Sequence, residues 1–199
     1  FSLAIVFLGL SAAFAGKWLE HVGPRRTMFT AACCFGGGFL VSALGVWLHQ
    51  IVLLYLGYGV IGGIGLGLGY VSPVSTLIRW FPDRRGMATG MAIMGFGGGA
   101  MIAAPLSVAL MNHFKSATSV GVAETFVVLG IVYFISMSIG ALAIRVPPAD
   151  WKPAGWTPPD TSHRMITRNH VHIDEALKTP QFYLIWLVLF LNVTAGIGI

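Results

Sequence analysis

The sequence predicts an all-α, multi-pass membrane protein, and three observations predict it. First, 56% of the residues are hydrophobic and only 10% are charged, where a soluble domain carries about 25% charged residues. Second, a helix needs roughly 20 apolar residues to cross the hydrocarbon core, and four runs reach that length: 27–48, 51–78, 87–111 and 125–144. Third, eleven of the 12 Lys and Arg residues sit in alternate connections, 16–26, 79–86 and 145–179; only Lys115 falls in the others. Each crossing flips sides, so this alternation matches the count of spans. Short loops rich in Lys and Arg stay on the cytoplasmic side. The formal charge of +5 therefore marks topology rather than nucleic-acid binding, which needs a water-facing basic surface.

The elements follow in order. Phe1–Ala15 is apolar but short, begins without Met, and lacks the basic n-region of a signal peptide. The polar turn GKWLEHVGPRR, 16–26, leads into the first full span. The second full span, 51–78, carries Gly57, Gly59, Gly63, Gly65, Gly67 and Gly69. The third carries Gly90, Gly95, Gly97, Gly98 and Gly99, with Gly86 just before it. Such spacings predict close helix packing in both spans, with sliding between the helices as the functional extension. Neither run is a nucleotide loop, since no strand–loop–helix context surrounds it and no Lys-Ser/Thr follows. Pro73 and Pro105 are candidate kinks.

Between these two spans lies RWFPDRRG, 79–86. Pro82 cannot continue a helix and biases Phe81 away from one. Asp83 is the expected N-cap of a helix opening at Arg84. The octet thus reads as a basic anchor with a helix stop and start. After the fourth span, 145–179 turns rich in Pro, His, Asp and Lys and reads as an exposed linker. Asp174 is placed to start a short helix through 175–178, and Thr179-Pro180 to open the final apolar run. The expected organisation is a partial transmembrane bundle over 1–144, a central loop over 145–180, and the start of a second bundle over 181–199. The chain reads as an interior part of a larger membrane protein.

The turn at 16–26 resembles the signature of the major facilitator superfamily between its second and third helices. Gly16, Leu19, Gly23, Arg25 and Arg26 match it, with Arg25 one place late behind Pro24. Glu20 stands where the family usually has Asp. GYVSPVSTLIRWFPDRRGMATGMAIMGFGGG, HVGPR and LKTPQFYLIW resemble stretches of the oxalate:formate antiporter family. The resemblance implies twelve helices in two six-helix bundles. This chain would hold helices two to six, the central loop and the start of helix seven, an incomplete major facilitator fold in a bacterial inner membrane.

The resemblance also implies a function, the secondary transport of small organic anions. Tyr70 matches a tyrosine that faces the family's cavity, while Phe96 replaces a second one. Ile5, Leu8 and Ala12 stand where that pattern has glutamines. The cations that pair with the carboxylates belong to the second bundle. A first bundle stripped of donors suits a carboxylate with an apolar part better than oxalate. Glu20 and the cluster Arg79, Arg84 and Arg85 form a candidate cytoplasmic gate, whose bland alternative is a set of solvated anchors.

Other function classes fare worse. No Asp, Glu, Lys or Arg falls inside any of the four spans as bounded above, which disfavours a membrane-embedded enzyme and a proton-coupled drug exporter. A non-transporting sensor or structural subunit stays open as an alternative. Adjacent Cys33 and Cys34 read as packed thiols, and His163, His170 and His172 lack the partners of a metal site. No cofactor pattern is present. Trp18, Trp47, Trp80, Trp151 and Trp186 fall near span ends, as an interfacial aromatic belt requires.

Overall fold

The computed structural model describes residues 1–116, 119–148, 150–153, 155 and 173–197; of these, the side chains of Lys17, Phe96, Ile173, Asp174, Val193 and 195–197 are outside the description. The linker residues His163, Arg164, Arg168, His170, His172 and Trp156 lie outside the described residues. The described residues are helical, with no strand among them. The order is α1 (Ser2–Val22), α2 (Pro24–Trp47), α3 (Ile51–Leu54), a π-helical segment (Tyr55–Gly62), α4 (Gly63–Trp80), α5 (Arg85–Phe114), α6 (Val122–Ala143), α7 (Ile173–Ala176) and α8 (Pro180–Ile197). Four helical stretches are long and apolar enough to cross a membrane: Pro24–Trp47, Ile51–Trp80, Arg85–Phe114 and Val122–Ala143. The chain falls into two compact units, Phe1–Trp156 and Thr157–Ile199; the site below lies in the first.

The helices outrun the apolar runs by about a turn, so Arg25, Arg26, Arg79 and Arg85 ride on first or last turns. The 16–26 connection is a single residue. Helix α1 continues through Gly16 to Val22, and Pro24 opens α2 at its first position. Pro is suited to that place, because its missing N–H would have had no helical partner. Only Gly23 is non-helical, at φ 86° and ψ 158°. Its N–H donates to Leu19 O at 2.9 Å, and its carbonyl accepts the Thr27 N–H at 3.2 Å and the Thr27 hydroxyl at 2.9 Å.

Asp83 does not cap α5. The helix begins at Arg85, Arg84 holds the N-cap position, and no side chain caps it. The Arg84 N–H closes a tight turn on Phe81 O at 3.2 Å, which moves the start one residue on and leaves Asp83 in the turn. Its carboxylate instead meets Arg84 Nε at 3.5 Å. Pro73 and Pro105 lie inside continuous helices. Pro180 opens α8, and the preceding Thr179 hydroxyl donates to Ala176 O at 2.7 Å.

The packing expectation divides between the two glycine-rich spans. In the 51–80 stretch, glycines let backbones touch. A Cβ on Gly57 would stand 2.6 Å from Gly38 O, and one on Gly65 would stand 2.6 Å from Phe35 N. One on Gly63 would stand 2.7 Å from Ala4 O, and one on Gly67 would collide with Ser11 Oγ. In α5 the expectation fails among the described residues. Gly86, Gly90, Gly95, Gly97, Gly98 and Gly99 each have nothing within 4 Å of an added Cβ. Glycine spacing shows where a close approach is allowed, and a partner must still be there to use it. Helix α2 is the hub, packed most extensively on α6 and also on α1, the π segment and α4. Phe39 anchors it, with T-shaped ring contacts to Phe35, Tyr58, Phe126 and Tyr133 at 5.0–5.7 Å.

The basic connections share one end of the bundle. Ser72 Oγ donates to Pro24 O at 3.1 Å, and Trp80 Nε1 donates to Arg145 O at 2.8 Å. The turn after α1, the end of α4 and the end of α6 therefore converge there.

Candidate functional site

Tyr70 opens on a pocket of about 270 Å³ between four helices. Helix α4 supplies Tyr70 with Leu66, Val74 and Leu77; Phe35 comes from α2, Ala92 from α5 and Met137 from α6. The spacing explains the wall: positions 66, 70, 73, 74 and 77 recur every three or four residues along one helical face. Gly69 keeps that wall low, since a Cβ there would already touch Met137 Cε at 3.4 Å. Pro73 withdraws the N–H that would ordinarily bond the Gly69 carbonyl. Among the described lining residues, the Tyr70 hydroxyl is the polar side-chain group, set among apolar and aromatic walls. Such a pocket takes a small molecule with a hydrogen-bonding head and an apolar body.

Phe96 is carried by α5, and its side chain is outside the description. Ile5, Leu8 and Ala12 lie on α1, and none of them lines the Tyr70 pocket.

Glu20 and Arg79 line one pocket of about 200 Å³ at the basic end, with Leu19, Gly23, Pro24, Ser75, Thr76 and Val146. The α1–α2 turn delivers Glu20, and the last turn of α4 delivers Arg79. Both side chains are exposed, and no ion pair joins Glu20 to an arginine among the described residues. Arg84 keeps company with Asp83 instead and is 67% exposed. Arg25 and Arg26 are exposed on the first turn of α2, and Arg85 on the first turn of α5. Gly16 sits inside α1 facing open space. The structure thus brings Glu20 together with Arg79 and leaves Arg84 and Arg85 outside that pocket.

Two features escaped the sequence reading. Tyr58, on the π segment, and Tyr133, on α6, face a pocket of about 500 Å³ with Phe39, Phe126 and Ser107. The spacing Phe126, Leu129, Tyr133 places these residues on one face of α6, and that signal was available. π-Helical turns often mark functional sites; this one seats Tyr58 against Phe39. The second feature is Glu124. Helix α6 starts early enough to include it, and its Oε2 is buried without a hydrogen-bond partner among the described residues. It sits in the first turn, where the helix dipole favours a negative charge.

Comparison with known proteins supplies the wider frame. The family model described as Major Facilitator Superfamily matches residues 1–199. The chain is 28% identical over 240 residues to apicoplast pyruvate carrier 1 of Toxoplasma gondii, covering 92% of this chain and 43% of that protein. It is 27% identical over 193 residues to the oxalate:formate antiporter of Oxalobacter formigenes, covering 96% and 41%. It is 30% identical over 105 residues to monocarboxylate transporter 11 of Homo sapiens, covering 53% and 21%. The chain therefore spans less than half the length of each of these relatives.

Proposed function

Because this chain belongs to the Major Facilitator Superfamily, and so to an integral, multi-pass membrane protein, we propose that it forms part of a secondary carrier of small organic anions. Transport proceeds by alternating access, with two bundles rocking about a midplane site. Monocarboxylates bearing an apolar group are the favoured substrates, ahead of oxalate. The observation that carries this reading is the Tyr70 pocket, which among its described lining residues pairs one hydroxyl with apolar walls and no charged side chain. Such a wall can orient a carboxylate whose charge is neutralised elsewhere, and it can shelter a methyl or larger apolar body. A dianion would leave its second charge against hydrocarbon, which is costly without a partner. The similarity to a pyruvate carrier and to a monocarboxylate transporter supports the same substrate class.

Counterflow into proteoliposomes carrying the full-length protein tests this. Pyruvate or another monocarboxylate is expected to compete better than oxalate. Tyr70→Phe is expected to raise the apparent KM roughly tenfold, the scale of one hydrogen bond to a charged group. Oxalate outcompeting every monocarboxylate would overturn the substrate assignment.

The basic end supplies the gate. Glu20 and Arg79 already share a pocket, so a small approach of α1 to the end of α4 would pair them in the outward-facing state. Exposed pairs contribute only ~0–1 kcal/mol. The shift on Glu20→Gln is therefore expected to be modest, at most about fivefold toward inward-open. It is read as faster labelling, from the cytoplasmic side, of a Ser75→Cys variant, Ser75 lining the same pocket. Labelling unchanged by both Glu20→Gln and Arg79→Gln would mean that the two are solvated anchors.

A further inference from the structure

We propose that a groove at the basic end of the bundle, between α2, α4 and α6, binds one anionic phospholipid, with its phosphate on Arg145 and an acyl chain along α4. The proposal rests on the chain being embedded in a membrane and does not need the carrier reading.

The groove holds about 410 Å³. Met28 of α2, Pro73 and Leu77 of α4, and Gly140 and Ile144 at the end of α6 form its floor and walls. Thr76 also lines it, but its hydroxyl is committed to Ser72 O at 2.8 Å. The wall is therefore apolar, and Gly140 leaves a notch with nothing within 4 Å of an added Cβ. Along α4 the groove runs from Pro73 to Trp80, about 10 Å at the helical rise. It is thus a slot suited to a chain lying beside the helix.

The mouth is polar and aromatic. Arg145 and Trp80 line it. The carbonyl ends of α4 and α6 point this way, and bare carbonyls would repel a phosphate. Trp80 O, on the last residue of α4, is already occupied, and so is Arg145 O, two residues beyond α6. Trp80 Nε1 donates to Arg145 O at 2.8 Å, and Trp151 Nε1 donates to Trp80 O at 3.1 Å. The two indoles meet edge to face at 5.2 Å. This reciprocal clasp fixes the backbone of Arg145 beside the groove, where Arg145 is exposed; Asp150 and Lys152, on either side of Trp151, are exposed as well. Indoles settle at the headgroup level of a bilayer. Basic pockets between helices on the cytoplasmic side recognise anionic headgroups. An acyl slot, an interfacial indole pair and a cation at its rim together have the chemistry of a phospholipid.

Lipid retention by the full-length protein in symmetric nanodiscs, measured by native mass spectrometry, tests the proposal without reference to transport or sidedness. Phosphatidylglycerol is expected to be retained over phosphatidylcholine. Arg145→Gln is expected to lower that preference about fivefold, the scale of one basic side chain at an anionic surface. Arg145→Lys should keep most of the preference, and Lys152→Gln, in the adjoining exposed segment, should leave it unchanged. Gly140→Leu, which fills the notch, should reduce retention of both lipids. Arg145 and Gly140 are both exposed, so these variants are expected to fold. Equal retention of the two lipids, or equal losses from Arg145→Gln and Lys152→Gln, would overturn the site. So would displacement of the lipid by glycerol 3-phosphate, a headgroup without chains.

Discussion

Replacing Gly23 with alanine is expected to destabilise the bundle by about 1–3 kcal/mol and to abolish most transport. The reason is backbone conformation alone. A Cβ at position 23 would meet nothing within 4 Å. Yet φ 86° with ψ 158° lies in a region that essentially only glycine occupies. The residue cannot relax locally, because it closes α1 through Leu19 O and opens α2 through Thr27. Any adjustment rotates one helix against the other and disturbs the pocket that Glu20 shares with Arg79. Gly16 is the matched control. It belongs to the same sequence motif and also faces open space, but its backbone is helical. Gly16→Ala should stabilise by about 0.5–1 kcal/mol, since alanine is the better helix former. Melting of the two variants in detergent, followed beside uptake, checks this. Equal effects at both positions would refute the account.

Most of the architecture was legible because lipid imposes it. Apolar length set the spans, and the alternation of Lys and Arg set which connections share an end; Ser72 on Pro24 and Trp80 on Arg145 show that shared end in the fold. What stayed hidden depends on contacts between distant positions. GKWLEHVGPRR reads as a polar turn of several residues, because Glu20, His21, Arg25 and Arg26 are hydrophilic. Those side chains sit on the ends of α1 and α2 without breaking either helix. Asp83 has the chemistry of a cap, but the turn closed by the Arg84 N–H starts α5 one residue beyond its reach. A resemblance marks Tyr70, whereas Tyr58 lies unmarked within an apolar run. Its position depends on the π segment, which no local pattern announces. The glycines of α5 match those of α4 in composition and differ only in what lies opposite them.

That difference yields the second large effect. Gly57→Ala is expected to cost about 1–3 kcal/mol, near the upper end, because its methyl would be driven into backbone. The added Cβ would lie 2.5 Å from Ser42 Oγ, 2.6 Å from Gly38 O and 2.7 Å from Ser42 N. Ser42 is fully buried, and its hydroxyl donates to Gly38 O at 2.8 Å. The contact is reciprocal, since a Cβ on Gly38 would lie 2.6 Å from Gly57 O and 2.8 Å from Gly62 N. The two backbones therefore meet with only the Ser42 hydroxyl beside the contact, on the stretch where the 51–80 helix is π-wound. Trimming Ser42 to alanine removes the nearest atom but leaves Gly38 O and the Ser42 amide in place. The double variant Gly57→Ala with Ser42→Ala should therefore recover little. Gly97→Ala and Gly98→Ala in α5, measured on this chain in the same detergent, should melt within about 1 kcal/mol of the parent. If Gly57→Ala melted with them, the α2–π contact would have enough slack to admit a methyl. The close approach of α2 to the 51–80 stretch would then be maintained by Phe39 and its ring of aromatics rather than by glycine.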